Sequence, residues 1–264
     1  MHQIRHWLAM AAVITGTAAA PASGAGQEID GADAAAADIA ETAAAFLASQ
    51  PAIAFDWSAS FDVVVEGREK ITYFQSGANR MLRGSGVFAR FERGDHVREY
   101  FHDGTSFTVA APYEDFYASA AFAGSYDELL AIAREQSDRP VAVWQLMSPT
   151  LAEDPLAEVT ASAYLGTTLI EGEEAHHLAF SEHDEDWQIW ISTDPDRPVP
   201  LMYVSTDPYT QGWPQYRARF TNWRFELTED EAVFTFEPDE DDIRITMPAL
   251  DAALGAASAG TEQE

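Results

Sequence analysis

The chain has 264 residues, with 15 Lys and Arg against 44 Asp and Glu, no Cys, and a formal net charge of −29. Nucleic acids and anionic lipid head groups are contacted through Lys and Arg, so this charge argues against a nucleic-acid binder and against docking on anionic membranes. The lack of Cys excludes disulfides, thiolate metal sites, Cys nucleophiles and an acylated Cys anchor.

The first 25 residues have the order of a secretory signal peptide. A weakly basic start that includes Arg5 precedes the uncharged residues 7–20, and small residues follow as far as Ala25. As a helix, the uncharged stretch would rise only about 21 Å, which is too short to cross a bilayer of about 30 Å. We therefore expect residues 1–25 to be removed on export, and residues 26–37 to form a flexible lead-in.

The body of the chain opens with one helix and one long hairpin. Residues 38–49 place apolar side chains at helical spacing, and Pro51 ends the pattern. From Ala54 the apolar residues alternate with polar ones, Gly67 lies in a turn, and residues 70–83 alternate again. This pattern predicts a long β-hairpin.

Two further helices are predicted between two runs of short strands. Ser125 and Glu128 match a capping box at the start of one helix, and Pro140 favours a second, short helix over residues 141–147. An Ala-rich tail, residues 249–264, is expected to be disordered. Alternating segments bounded by Gly, Asp and Pro turns predict strands at residues 87–92, 98–102, 106–110, 115–119, 161–165, 176–180, 187–191, 201–206, 215–226 and 232–236.

These elements predict a mainly-β (α+β) fold in a single domain that spans residues 38–248. Many antiparallel strands without βαβ alternation favour one large curved sheet, an open half-barrel or a partial barrel with inserted helices. An open sheet has to cover its apolar concave face, and the N-terminal helix and the two inserted helices are suited to that task.

The sequence contains no familiar catalytic or cofactor motif, so we expect no enzyme activity, no catalytic residue, no metal and no cofactor. His183 lies among four acidic residues at positions 182 and 184–186, which leaves a weak metal site open as an alternative. The same acids beside Trp187 also admit a hydrolase with two carboxylates flanking a sugar. A hydrated hairpin turn accounts for them more simply.

Three groups of short motifs carry a family resemblance. The sequence reads YFHDGTSFTV at 100–109 with YDELL at 126–130, YLG at 164–166 with HLAF at 177–180 and DWQIWI at 186–191, and RPVP at 197–200 with PQY at 214–216 and TNW at 221–223. Together they resemble a bacterial family of predicted periplasmic proteins that is classed as a domain of unknown function. The resemblance runs from about residue 39 to residue 247. The sequence departs from it at Ala175, where a Cys is frequent, and at residues 201–202, where basic residues are usual.

That family is similar in fold to the periplasmic lipoprotein carriers and outer-membrane lipoprotein receptors of the Lol system. The resemblance implies an open half-barrel with helices packed into its concave side. Candidate cavity-lining residues on the strands are Phe107, Val109, Phe180, Trp187, Ile189, Ile191 and Tyr203. Candidate lid residues are Leu129, Leu130, Trp144, Leu146 and Met147. Each of these side chains fits an ordinary packed core as well.

We expect a soluble, unlipidated periplasmic carrier or chaperone that binds a hydrophobic ligand, either a lipid or a lipoprotein acyl chain. The alternative is an interaction or structural protein with a closed core and no ligand pocket. The charge is also uneven, since residues 226–242 hold nine acids and no Lys or Arg. A solubilising surface explains this segment, and docking of a basic protein partner is the other interpretation.

Overall fold

One twelve-stranded sheet and three helices form the part of the chain that the computed structural model describes, which is residues 31–136, 142–228 and 233–246. The predicted signal peptide, residues 1–25, and the predicted tail, residues 249–264, lie outside the described residues. Among the described helices, none has the length and apolar character that crossing a bilayer requires.

The long hairpin predicted from the alternating pattern is confirmed. It pairs β1, Ala52–Val65, with β2, Glu69–Leu82, over fourteen residues of each strand. Trp57 lies opposite Gly77, where an added Cβ atom would come within 2.7 Å of the indole ring. The same Cβ atom would lie even closer to the carbonyl oxygen of Arg90 on β3, so a side chain here would clash with both neighbouring strands, which explains why a residue without a Cβ atom occurs in the middle of a strand.

The remaining strands extend the sheet on both sides of this hairpin. Their bounds are β3 Gly86–Arg93, β4 His96–His102, β5 Ser106–Ala111, β6 Phe116–Ala121, β7 Ala161–Ile170, β8 Glu173–Ser181, β9 Asp186–Ser192, β10 Pro200–Thr206, β11 Gln215–Arg224 and β12 Ile243–Arg244. The order is β12-β6-β5-β4-β3-β2-β1-β11-β10-β9-β8-β7, and β12 alone among these pairs in parallel. The two ends of the sheet do not meet, so the predicted open half-barrel is confirmed.

The first helix, α1, spans Ala34–Ser49 and begins four residues before the predicted start. Asp33 is its N-cap, and the carboxylate accepts hydrogen bonds from the backbone N–H groups of Ala35 and Ala36. This cap satisfies N–H groups that have no partner within the helix. Residues 34–37, which the sequence assigned to a flexible lead-in, therefore belong to the helix.

The second and third helices, α2 Tyr126–Gln136 and α3 Ala142–Gln145, occur where the sequence predicts them. The capping box is confirmed: Ser125 N–H donates to the Glu128 carboxylate at 2.6 Å, and Glu128 N–H donates to Ser125 Oγ at 3.2 Å. The reciprocal pair fixes the point at which the chain leaves β6 and enters α2.

The three helices cover different sections of one face of the sheet, here called the concave face. Helix α1 packs on β7, β8 and β9, where Ala43 contacts a buried cluster that includes Leu178 and Phe180. Helix α3 lies over the centre of the sheet, with Met147 just beyond it fully buried. Helix α2 packs Leu129 on β5 and the chain that follows β6. The apolar face is thus divided into sections, each with its own cover.

The strand predicted over residues 232–236 is wrong for the described residues 233–236, which pair with no strand. Phe234 is buried, and Phe236 packs against Phe101 with ring centroids 5.4 Å apart. Phe101 follows Tyr100, which contacts Trp144 of α3, so successive side chains place Phe101 on the face away from the helices. The alternating apolar residues therefore anchor a strap on the convex face.

A cavity between helix α1 and the sheet

A cavity of about 540 Å³ opens between α1, residues 145–158, and strands β9 to β11. Its size falls within the range of about 300–1,000 Å³ that is usual for small-molecule sites. The lining residues are Ala40, Ala43, Ala44, Leu47, Gln145, Leu146, Leu151, Asp154, Pro155, Leu156, Ala157, Glu158, Glu182, Glu185, Trp187, Ile189, Ile191, Pro200, Tyr203 and Phe220.

Helix α1 forms one wall with small side chains. Ala40, Ala43, Ala44 and Leu47 follow the spacing of one helical face, and all four line the cavity. Three of the four are Ala, so the helix covers the concave face without filling the space in front of it. A Leu or Phe at these positions would close the gap by packing directly on the strands.

The floor is aromatic and aliphatic. Tyr203 on β10 pairs with Ile189 on β9, so both side chains point to the concave face. Trp187 stacks on Phe180 with ring centroids 4.1 Å apart, and its ring lies 6.0 Å from that of Tyr203. These contacts hold the indole in place and present an apolar surface to the cavity.

Carboxylates lie at the edge of this apolar floor. The turn between β8 and β9 brings Glu182 and Glu185 to the cavity, and residues 154–158 bring Asp154 and Glu158. Trp187 Nε1 donates a hydrogen bond to Glu182 Oε1 at 2.6 Å. One aromatic residue therefore contributes to the floor and also orients a carboxylate.

The environment of Glu185 disfavours its charged form. Burial raises the pKa of Glu185, and the charges of Glu182, Asp184 and Asp207 raise it further, while a hydrogen bond with Ser205 acts in the opposite direction. Burial also raises the pKa of the Tyr203 hydroxyl beside it, and the nearby Glu185 adds to that shift. The cavity edge is therefore a partly dehydrated, negatively charged surface.

Arg83, the residue after β2, forms hydrogen bonds with two walls of the cavity, the end of α1 and the segment after α3. Its guanidinium donates to the carbonyl oxygens of Leu47 at 3.0 Å and Gln50 at 2.7 Å, at the end of α1. The same group donates to the carbonyl oxygen of Met147 at 3.2 Å. Asp127 supports the second wall, since Ser148 Oγ donates to its carboxylate at 2.5 Å.

The structure brings five of the predicted ligand-site residues to this cavity: Trp187, Ile189, Ile191, Tyr203 and Leu146. Phe180 lies beside the floor on the same face of the sheet, stacked on Trp187 and packed in the cluster under α1, and it does not line the cavity. Whether any of these residues contacts a ligand stays a prediction.

The other predicted ligand-site residues lie elsewhere. Phe107, Val109 and Leu129 belong to the cluster between α2 and the strands β4 to β6, and Leu130 is buried on the same helix. Trp144 and Met147 are packed between that cluster and the centre of the sheet, around a void of about 10 Å³. A void of that size does not hold an acyl chain, so this section is packed core.

The sequence predicted that the N-terminal helix covers the concave face, but it named no residue of this helix as cavity-lining, and it assigned Glu182 and Glu185 to a hydrated hairpin turn. A signal for the carboxylates was present, because Trp187 follows them at the start of a strand with one apolar face. Phe220 lines the cavity because β11 lies beside β10 in the sheet. The alternation of residues along one strand does not predict which strand lies next to it.

The histidines take separate partners. His176 Nδ1 lies 3.1 Å from the Tyr164 hydroxyl, and His177 Nε2 lies 2.9 Å from Gln188 Oε1. Within the described ranges, no three His, Asp or Glu side chains are grouped closely enough to hold a metal ion.

The fold and the cavity define a class: an open twelve-stranded half-barrel with helices on its concave face and an apolar cavity beneath one of them. Residues 36–247 match the model of the family described as predicted periplasmic protein (DUF2092). The chain belongs to this family. No curated protein matches the sequence.

Solved structures similar to this chain share little sequence with it. The lipoprotein LppX of Mycobacterium tuberculosis is 9% identical, with a TM-score of 0.39, and the match covers 75% of this chain and 99% of that one. The LolA superfamily protein NE2245 of Nitrosomonas europaea is 12% identical, with a TM-score of 0.32 and coverage of 76% and 97%.

A chain in the MucA/MucB complex of Pseudomonas aeruginosa is 15% identical, with a TM-score of 0.42 and coverage of 76% of this chain. This chain spans 61% of that relative's length. The assignment of the fold class rests on the sheet order given above.

Proposed function

We propose that this protein is a periplasmic carrier that holds a hydrophobic ligand, a lipid or an acyl chain, in the cavity beneath α1. The observation that carries the proposal is the unfilled space of about 540 Å³ against the apolar floor formed by Trp187, Ile189 and Tyr203. A protein whose concave face served only as its core would fill this space with side chains, as it does beneath α2.

The expected strength of binding suits a carrier. Burying a methylene group is worth about 0.8 kcal/mol, so a chain of about ten carbons gains on the order of 8 kcal/mol. Part of this gain is lost with the freedom of the bound ligand. The remainder supports binding that is selective for apolar molecules and still reversible, so that cargo is released to an acceptor.

The family description supports a periplasmic location. We further propose that the mature chain reaches the periplasm through the predicted signal peptide and works there without an acyl anchor, since it has no Cys to carry one. The role is non-enzymatic in this proposal: the side chains at the cavity edge hold a ligand in place and carry out no reaction.

A protein acceptor for the cargo is the second partner in the proposal. Residues 239–241 lie just before β12, which lies at the edge of the sheet opposite β7, and their exposed acids Asp239, Glu240 and Asp241 form a charged surface outside the cavity lining. A basic partner would dock here without blocking the cavity. The attraction between two such surfaces weakens steeply as salt concentration rises.

Native mass spectrometry of the protein released from periplasm tests the proposal. We expect a population heavier than the mature chain, with the added mass recovered in an organic extract. Ala44→Trp, which places an indole in the cavity, should lack this population. Ala45→Trp, one residue away on the exposed side of α1, should retain it. A wild-type protein that never carries extra mass supports the closed interaction protein instead.

A further inference from the structure

The charged groups that line the cavity are all acidic. Asp154, Glu158, Glu182 and Glu185 are among the lining residues, and that lining includes no Lys, Arg or His. Within the described residues, none of the four forms an ion pair with a basic side chain. The described residues therefore supply negative charge to this cavity and place no basic side chain in its lining.

Aromatic rings lie beside these carboxylates. Trp187 and Tyr203 both line the cavity, with ring centroids 6.0 Å apart and planes inclined by 35°. The face of an indole or phenol ring attracts a cation, and most strongly where water is excluded. Glu182 is held against the indole by the hydrogen bond from Trp187 Nε1. Aromatic faces with adjacent carboxylates are the chemistry that recognises an ammonium group.

The arrangement also carries an electrostatic cost when the cavity is empty. Glu182 and Glu185 lie on one short turn, close to Asp184 on the same turn and to Asp207 just after β10. The Tyr203 hydroxyl on the cavity floor also lies near Glu182 and Glu185. Because like charges at short range repel, a cation placed among them gains more than a neutral ligand of the same shape.

We propose that the ligand of this cavity is a cationic amphiphile, whose apolar chain lies on the Trp187–Ile189 floor and whose ammonium head lies between Glu182, Glu185 and the aromatic rings. This inference rests on the proposed function, because it names the class of ligand for the same site. Neutral and anionic chains of equal length bind more weakly.

A displacement titration tests the inference. The neutral fluorophore N-phenyl-1-naphthylamine is bound first, and decyltrimethylammonium, decanol and decyl sulfate, which share one chain length, then compete with it. We expect the ammonium compound to bind at least about 10-fold more tightly than the sulfate, a ratio that corresponds to a cation beside desolvated carboxylates and rings. Raising the salt concentration reduces the ratio but does not abolish it.

Two double variants separate the cavity from the general charge of the protein. Glu182→Gln with Glu185→Gln removes two carboxylates from the lining, and we expect it to cut the ammonium-to-sulfate ratio by about 10-fold. Asp239→Asn with Asp241→Asn changes the net charge equally at exposed positions outside the cavity lining, and we expect most of the ratio to remain. Thermal unfolding shows whether each variant is folded.

The outcomes distinguish the two proposals. Binding of the neutral fluorophore together with equal affinities for the three competitors overturns the cationic ligand and leaves the carrier standing. Equal losses in the two double variants also overturn it, because the preference would then come from the overall charge. A wild-type protein that binds neither the fluorophore nor any competitor overturns the carrier itself.

Discussion

The guanidinium of Arg83 donates a hydrogen bond to the carbonyl oxygen of Leu47, with 3.0 Å between the two atoms. Leu47 lines the cavity at the end of α1, and Arg83 follows the strand that forms half of the central hairpin. The same guanidinium holds Gln50 and Met147. One side chain thus connects the sheet to both covering walls, and the two walls cannot part without breaking its hydrogen bonds.

Arg83→Ala should loosen both walls at once. Burial lowers the pKa of the Arg83 guanidinium, and the charge of Asp127 partly offsets this effect. Loss of the guanidinium leaves three carbonyl oxygens without their charged donor, and we expect a destabilisation of about 3 kcal/mol in chemical denaturation. Arg80→Ala, which removes a contact of the guanidinium with the Phe88 ring, is the control and should cost no more than about 1 kcal/mol.

Asp33→Ala should destabilise the protein at neutral pH but not in acid. Three backbone N–H groups donate to the Asp33 carboxylate and lower its pKa; that of Tyr164 has the largest effect, and those of Ala35 and Ala36 add to it. Burial acts in the opposite direction and is smaller than the effect of Tyr164. Since the folded pKa lies below the unfolded value of 3.8, the stabilisation is present above that pH and lost as the pH falls through the folded value.

We therefore expect the difference in Tm between wild type and Asp33→Ala to be constant near neutral pH and to shrink below about pH 4. Asp38→Ala, on the exposed side of the same helix, is the matched control and should show little difference at any pH. A difference for Asp33→Ala that stays constant through pH 3 would assign the effect to helix propensity instead of the carboxylate.

Glu185→Gln should stabilise the empty protein. The pKa of Glu185 is raised on folding. Such a carboxyl group lowers the stability of the folded state as the pH rises from its unfolded pKa through its folded pKa, because the folded state holds the proton more tightly than the unfolded chain does. At pH 7 we expect Glu185→Gln to unfold at a higher temperature than wild type, with the advantage disappearing as the pH approaches 4. An unchanged or lower Tm at pH 7 would show that Glu185 is well hydrated or paired with a cation.

Ser125→Ala should weaken α2 without affecting the cavity. Its hydroxyl accepts the hydrogen bond of Glu128 N–H, and loss of an N-cap of this kind costs about 1 kcal/mol. Since α2 covers the section around Phe107, hydrogen exchange should accelerate in α2 while binding of N-phenyl-1-naphthylamine stays the same. Weakened binding would show that the two sections of the concave face are coupled.

Local sequence patterns predicted most of the fold, because each pattern depends only on residues that are close together in the sequence. Alternation and the turn at Gly67 specify the central hairpin, and Ser125 with Glu128 specifies the start of α2. The strap at residues 233–236 shows the limit of this reasoning. Alternating Phe residues predict a strand, but here they anchor an unpaired segment in the convex face, and only the tertiary structure distinguishes the two.

The candidate site was predicted only in part for a similar reason. Phe107 and Ile189 occupy equivalent positions in alternating strands, so the sequence treats them alike. The structure places Phe107 under α2, where it is packed, and Ile189 beneath the Ala-rich wall of α1, where space remains. Which strand section lies under which helix depends on contacts between distant residues, and such contacts leave no periodic signal.

Binding of N-phenyl-1-naphthylamine to wild type, Ala44→Trp and Ala45→Trp tests the central claim most directly. We expect wild type and Ala45→Trp to bind the fluorophore with equal affinity. Ala44→Trp should bind it at least about 10-fold more weakly, because the indole at position 44 occupies the cavity and the indole at position 45 does not. Ala40→Trp, at a partly exposed lining position, repeats the test if Ala44→Trp does not fold. Equal binding by all folded variants, or no binding by wild type, would contradict the account.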